Sequence, residues 1–306
     1  MLRLYTHPAC LQHQSATGHV ECPARLVAVL RALDHDRYAV LDRVEAPCAT
    51  REQLLRVHAA THVDAILSAT ADCGECMLDA DTFFCTASPE AALRAAGAVI
   101  AAVGAVLEGR CDKAFCAVRP PGHHATRTQA MGFCLFNNVA LGAAHALAHF
   151  GLSRVAIADF DVHHGNGTQD VFAREPRVMF ASSHQSPLYP YSGGEDECGV
   201  GNIVNGTLAP GAGSCAFRAL WSEVLLPRLY AFRPQLVLIS AGFDAHRCDP
   251  LADLQLDRED YAWITTQLVA LARAHAQDRL VSTLEGGYDL AALADSVSAH
   301  VSALLQ

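Results

Sequence analysis

The stretch ADFDVHHGNGT, residues 158 to 168, places two carboxylates and two imidazoles within six positions, directly after the apolar run Arg154 to Ala158. A buried strand terminus is a costly place for unpaired charge, so groups crowded there either sit in water or share a partner such as a metal ion. Asp161 and His163 are spaced i, i+2 just past the strand-like run, which lets both side chains turn toward one ion. Asp244, in SAGFDAH at the end of another apolar run, offers a third ligand. Three protein ligands with an open fourth position describe a catalytic zinc site, where the metal polarises an oxygen and acidifies water. Two carboxylates and one imidazole also suit Fe(II), Co(II) or Mn(II). Taken alone, an Asp at a strand end is more often a helix cap and a His more often a hydrogen-bonded core group. Their number and placement favour chemistry.

Proton-transfer groups accompany these ligands. Arg119-Pro-Pro-Gly-His123-His124 follows one apolar run, Ser182-Ser-His184 follows another, and Glu285-Gly-Gly-Tyr288 follows a third. Asp159 is a candidate partner for His123 or His124. A histidine bonded to a buried acid is fixed in one tautomer and made more basic, which suits it to take a proton from attacking water and return it to a leaving amine. Tyr288 comes after two glycines that permit a tight backbone approach, and its hydroxyl would donate to a developing oxyanion.

These groups need strands that end together. The spacing predicts strands over Leu2–Tyr5, Ala114–Val118, Arg154–Ala158, Arg177–Ala181, Gln235–Ser240 and Leu280–Leu284. Helices are expected over Cys22–Leu33, Arg51–Val57, His62–Ser68, Pro89–Glu108, Asn137–His149, Cys215–Ala231, Arg258–Ala276 and Asp289–Leu305. Short β-branched runs alternating with Ala/Leu-rich helices give an α/β class, a mostly parallel sheet covered on both faces. In such sheets ligands sit outside the carboxyl ends of the strands, so the chemistry-bearing segments should meet in one crevice.

Composition narrows the function. With 306 residues and no linker-like segment, one domain over 1–306 is expected. A formal charge of −10 without a basic run argues against a nucleic-acid partner. The twelve cysteines are expected as reduced thiols in the cytoplasm, because the start MLRLYTHPAC lacks the pattern of a signal peptide. Cys73 and Cys76 form a CGEC pair without a second CxxC, and are expected as ordinary thiols. The apolar run Ala95–Leu107 is too short to span a bilayer and reads as a buried helix.

Seven segments then resemble, in order, the histone deacetylase family in its class II-like bacterial branch, within the superfamily that includes acetylpolyamine amidohydrolases. They are GHVECPAR (18–25), DADTF (79–83), RPPGHHA (119–125), GFCLFNN (132–138), DFDVHHGNGTQ (159–169), SAGFDAH (240–246) and LEGGYDL (284–290). The resemblance implies a single-domain arginase-like fold and zinc bound by Asp161, His163 and Asp244. It implies His124 as the main general base and acid, His123 paired with Asp159 as an electrostatic partner, and Tyr288 as the oxyanion donor. It implies a narrow tube walled by Gly132, Phe133 and Tyr189, and a structural potassium held near Asp159, Asp161, His163 and Ser182. Asn166 stands where class I members carry an acid behind the second histidine, and Val20 stands where a proline is common. Leu251 occupies the position of the acidic gatekeeper of acetylpolyamine-selective relatives, which favours acyl-lysine over acetylpolyamine as substrate. The alternatives are an acetylpolyamine or another small acylated amine as substrate of the same machinery, a silent acyl-lysine reader, or a two-manganese enzyme of arginase type. The oligomeric state stays open.

Overall fold

The computed structural model describes residues 1–69 and 75–306. Eight strands form one parallel sheet in the order β2-β1-β5-β10-β9-β6-β7-β8: β1 is Leu2–Thr6, β2 Asp42–Glu45, β5 Lys113–Cys116, β6 Val155–Asp159, β7 Val178–Gln185, β8 Ile203–Leu208, β9 Leu236–Ala241 and β10 Leu280–Leu284. A separate antiparallel hairpin pairs β3 (Glu75–Met77) with β4 (Phe83–Cys85). The helices are α1 (Pro23–Leu33), α2 (Arg51–Leu54), α3 (Ala60–Ser68), α4 (Ser88–Leu107), α5 (Asn138–His149), α6 (Asn166–Phe172), α7 (Ser214–Leu220), α8 (Leu226–Phe232), α9 (Arg258–His275) and α10 (Leu290–Leu304). One layer is built from α4 and α5, packed on β1, β5, β10, β6 and β9; the other holds α1, α10, α9 and α8 in mutual contact.

The inner strands β5, β6, β7, β9 and β10 are buried along their whole length, as expected where both faces of a parallel sheet are covered. All six strands expected from sequence are present, shifted by a residue or two at their ends. The fourth runs four residues further than expected, so Ser182, Ser183 and His184 lie within β7 rather than after it. Two flanking strands escaped the sequence pattern. DRVE of β2 alternates polar groups along an edge, and IVNGTL of β8 contains the turn-like pair Asn205-Gly206.

The helix expected over Cys215–Ala231 is three pieces. A π-helical turn, Trp221–Leu225, separates α7 from α8. Pro227 cannot donate the i→i−4 bond, which relaxes the ladder there, and the buried Trp221 indole donates to Ser183 Oγ of β7 at 3.0 Å. The helix expected over Arg51–Val57 ends at Leu54. At 20 residues α4 is longer than the apolar run inside it and is long and apolar enough to cross a membrane, yet most of it is buried against the sheet and α5. Every described cysteine is a free thiol. Cys73 of the CGEC pair lies outside the described residues.

Candidate active site

Parallel strands deliver their carboxyl ends to one side, and the site is built there. Asp159 closes β6 and is paired in register with Ser182 of β7 and Ser240 of β9. Beyond it the chain bends, and backbone N–H groups stitch the bend. Asp161 N–H donates to Asp159 Oδ1 at 3.1 Å, and His163 N–H donates to Asp161 Oδ1 at 2.9 Å. Val162 N–H donates to Asp244 Oδ1 at 2.9 Å, and Gly286 N–H donates to Asp161 Oδ2 at 2.9 Å. Each of these bonds fixes a carboxylate in one orientation before any ligand arrives. Gly286 is required by space, since a Cβ there would lie 1.9 Å from Asp244 Oδ2.

Asp161, His163 and Asp244 each offer one ligand atom, and these atoms lie within 4.8 Å of one another, all buried. The His163 Nδ1 faces both acids, 3.1 Å from Asp161 Oδ1 and 3.2 Å from Asp244 Oδ2. Burial alone would lower the His163 pKa, but the two carboxylates overwhelm it and push it up to about 10. Burial and the neighbouring Asp161 charge raise Asp244 above the usual carboxylate range. Asp244 Oδ2 is buried without an aligned hydrogen-bond partner. Two buried carboxylates holding a proton on an imidazole, with one oxygen unsatisfied, make a site that fits a divalent cation.

The second cluster is the histidine pair. His123 Nδ1 lies 3.0 Å from Asp159 Oδ2, and burial is again outweighed, here by Asp161 and Asp159, so that its pKa rises to about 10. His124 is the opposite case: burial, then the positive neighbours His123 and His163, hold it well below its ordinary value. Its Nδ1 lies 2.7 Å from Asn166 Oδ1 at the start of α6. Because that oxygen only accepts, Nδ1 carries the proton and Nε2 is left as an acceptor. The loop bearing both histidines is anchored by Glu285, whose Oε2 accepts from Gly122 N–H at 2.6 Å and His123 N–H at 3.2 Å, while Ser240 Oγ donates to its Oε1 at 3.1 Å.

A cavity of about 230 Å³ opens above these groups, lined by His124, His163, Phe133, Tyr189, Leu251 and Tyr288, with Gly132 beside them. Gly132 and Phe133 both have left-handed backbones, φ 56° and 67°. That conformation is strained for phenylalanine, and it is held by a bond from Phe133 N–H to Thr82 Oγ1 at 3.1 Å. The Phe133 ring meets Tyr288 edge-on at 5.8 Å, and Tyr189 meets His124 edge-on at 5.2 Å. Tyr288 lies under the Arg25 guanidinium, 4.6 Å from its ring centre. Burial holds its hydroxyl protonated well above the ordinary tyrosine range, so it can donate.

Every residue named from sequence for the metal, the histidine pair and the tube walls therefore lies at one crevice. Ser182 lies beside Asp159 in the sheet, its hydroxyl 2.9 Å from His184 Nδ1. Three supports were missed. Glu21 and Arg25 sit inside the segment GHVECPAR, where nothing local marks either as buried. In the structure Glu21 is buried between two arginines, Arg119 at 2.5 and 2.6 Å and Arg25 at 3.0 Å. Arg25 also donates to the carbonyls of Glu285 and Gly287, fixing the turn that presents Tyr288. Asp81, in DADTF, lines the same cavity and brings a carboxylate there that the Leu251 argument did not anticipate. Only the hairpin β3–β4, too short to recognise from its pattern, carries it there.

A histone deacetylase domain model matches residues 19–304. The chain belongs to the histone deacetylase family. It is 42% identical over 284 residues to a histone deacetylase-like amidohydrolase of Pseudomonas aeruginosa, covering 91% of this chain and 74% of that protein. It is 38% identical over 312 residues to the polyamine deacetylase HDAC10 of Mus musculus, covering 94% of this chain and 45% of that protein. The crystal structure of the HDA15 HD domain superposes with a TM-score of 0.94 at 35% identity, covering 99% of this chain and 88% of that one. With its deacetylase and amidohydrolase relatives, this family member is a hydrolase acting on amides.

Proposed function

We propose that the chain is a zinc-dependent deacylase of acyl-lysine-type amides. The observation that carries this reading is the convergence of Asp161, His163 and Asp244 beside a neutral His124 and the protonated Tyr288 hydroxyl at the floor of one narrow cavity. Those three residues would hold a divalent ion, which when bound would supply Lewis acidity and lower the pKa of water; Fe(II), Co(II) and Mn(II) suit the same donors. His124 Nε2 accepts the proton of the attacking water and delivers it to the leaving amine nitrogen. Tyr288 donates its hydroxyl to the oxygen as charge develops there. His123, held by Asp159, keeps positive charge close to the reacting atoms and steadies the His124 ring, 4.0 Å away between centres. Phe133, Tyr189 and Leu251 enclose the methylene chain, where each CH₂ taken from water contributes about 0.8 kcal/mol.

A potassium ion is proposed beside this centre, held by oxygens near Asp159, Asp161, His163 and Ser182; the β6–β7 register that brings Asp159 next to Ser182 supports it. The free thiols support a reducing compartment such as the cytoplasm. Asp81 in the cavity lining favours a second reading, a polyamine substrate whose distal ammonium meets that carboxylate. A hydrolysis panel on zinc-reconstituted protein separates the two. Acetyl-lysine peptide should turn over faster than acetylputrescine or acetylspermidine; faster polyamine turnover replaces the first reading with the second, and inertness toward all of them sinks both.

A further inference from the structure

Behind the His124–Asn166 pair lies another cavity, of about 760 Å³, lined by Asn166, Gln169, Ser192, Arg127, Arg174 and Asp170 among others. His124 lines the tube and Asn166 lines this cavity, so one hydrogen bond of 2.7 Å separates them. Both arginines in its lining are exposed. Neither Arg127 nor Arg174 forms an ion pair among the described residues, although the chain carries a formal −10. Asp170, the acid in the lining, already accepts from the Arg127 backbone N–H at 3.0 Å. A neighbouring cavity of about 320 Å³ shares Arg127 and adds Arg56 and Arg177. Glu175 there is bound at both oxygens by Arg177, and Arg56 donates to His145 and to the exposed Glu52. Asn166 also presents an amide hydrogen with a poor partner, the Met131 sulfur at 3.3 Å.

We propose that this cavity is a binding site for a small oxyanion, phosphate or carboxylate, held by Arg127 and Arg174 and clamping Asn166. Two guanidiniums without counter-ions match the planar oxygens of such a ligand, and they carry the recognition, since the Gln169 amide already donates to Glu197 and the Ser192 hydroxyl is paired with His164. A bound oxygen accepting from Asn166 Nδ2 fixes the amide plane and with it the bond to His124 Nδ1. The anion therefore acts as an activator, holding the His124 ring in the orientation that aims Nε2 into the tube. The activating half rests on the proton-transfer role proposed for His124; the binding half does not.

The experiment titrates inorganic phosphate, acetate and chloride separately, at constant ionic strength, into metal-loaded wild type and the Arg127→Ala/Arg174→Ala double variant, by calorimetry without substrate and by turnover with it. Wild type should bind phosphate or acetate at one saturable site, at least tenfold more tightly than the double variant. Its kcat should rise on saturation at unchanged KM, and the double variant should keep the anion-free rate and lose the rise. Arg174→Gln alone should lose part of the response, which guards against misfolding of the double variant. The relative strength of the phosphate and acetate arms identifies the ligand. Equal affinity in the two proteins, an equal response to chloride, or binding without any change in turnover overturns the proposal. Because binding is read without substrate, a chain that proved inert toward amides would still report the site.

Discussion

At the level of single residues, proton placement separates the two histidines. They are adjacent in sequence and meet the same burial, yet Asp159 accepts from one and Asn166 from the other. His123 consequently carries charge while His124 stays neutral and free to accept. In the proposed reaction Tyr288 is the complementary donor. Tyr288→Phe keeps the ring beside Arg25 and Phe133 and removes only the hydroxyl, so turnover should drop by about 10²-fold or more while the bound divalent metal, measured by elemental analysis, is retained. Unchanged turnover would contradict the donor role. Asp244→Ala removes one of the three groups able to hold the ion, and should leave the purified protein without bound divalent metal. Full occupancy in that variant would mean that the ligands are others. Motif spacing revealed these residues because each chemistry-bearing group follows a recognisable apolar run.

The elements show where sequence reading stopped. Strands covered on both faces announce themselves as apolar runs, which is why β5, β6, β9 and β10 were legible, whereas β2 and β8 at the two edges were not. The π-helical turn was hidden because helical periodicity in 215–231 says nothing of how a proline-relaxed segment meets a strand. A polar bridge inside the core was equally invisible. His300 of α10 sits fully buried between Thr265 Oγ1 of α9 at 2.6 Å and Ser282 Oγ of β10 at 2.8 Å. Burial lowers its pKa to about 3, against about 6.5 when unfolded. Below pH 6.5 the unfolded chain therefore binds a proton that the native chain refuses, and the histidine's stabilising share is lost as pH falls toward 3. The stability difference between wild type and His300→Gln, from urea unfolding, should shrink by about 2 kcal/mol between pH 6.5 and 5. A difference that does not move with pH would show that His300 is not held neutral.

Across the whole molecule, remote parts of the chain are tied together by charge. Glu21 joins the N-terminal segment to the histidine loop through Arg119 and to the Tyr288 turn through Arg25, and Arg119 and Arg25 pull it down to about 2 against the effect of burial. Removing one member of such a buried cluster leaves the others uncompensated. Glu21→Ala should destabilise the fold by about 3–5 kcal/mol in chemical denaturation, with deacylation falling as the Tyr288 turn loosens. A loss below 1 kcal/mol would show that the two arginines find other partners. Sequence could not give this, because the partners are separated by up to 262 positions and nothing local marks Glu21 as buried.

The order of the sheet bears on how the chain reaches this state. β10, residues 280–284, fills the gap between β5 and β9, so the two halves of the sheet have no hydrogen-bonded border until that late segment arrives. Closure of the sheet, and with it the meeting of the imidazoles beyond β5 with the carboxylates beyond β6 and β9, depends on that one strand.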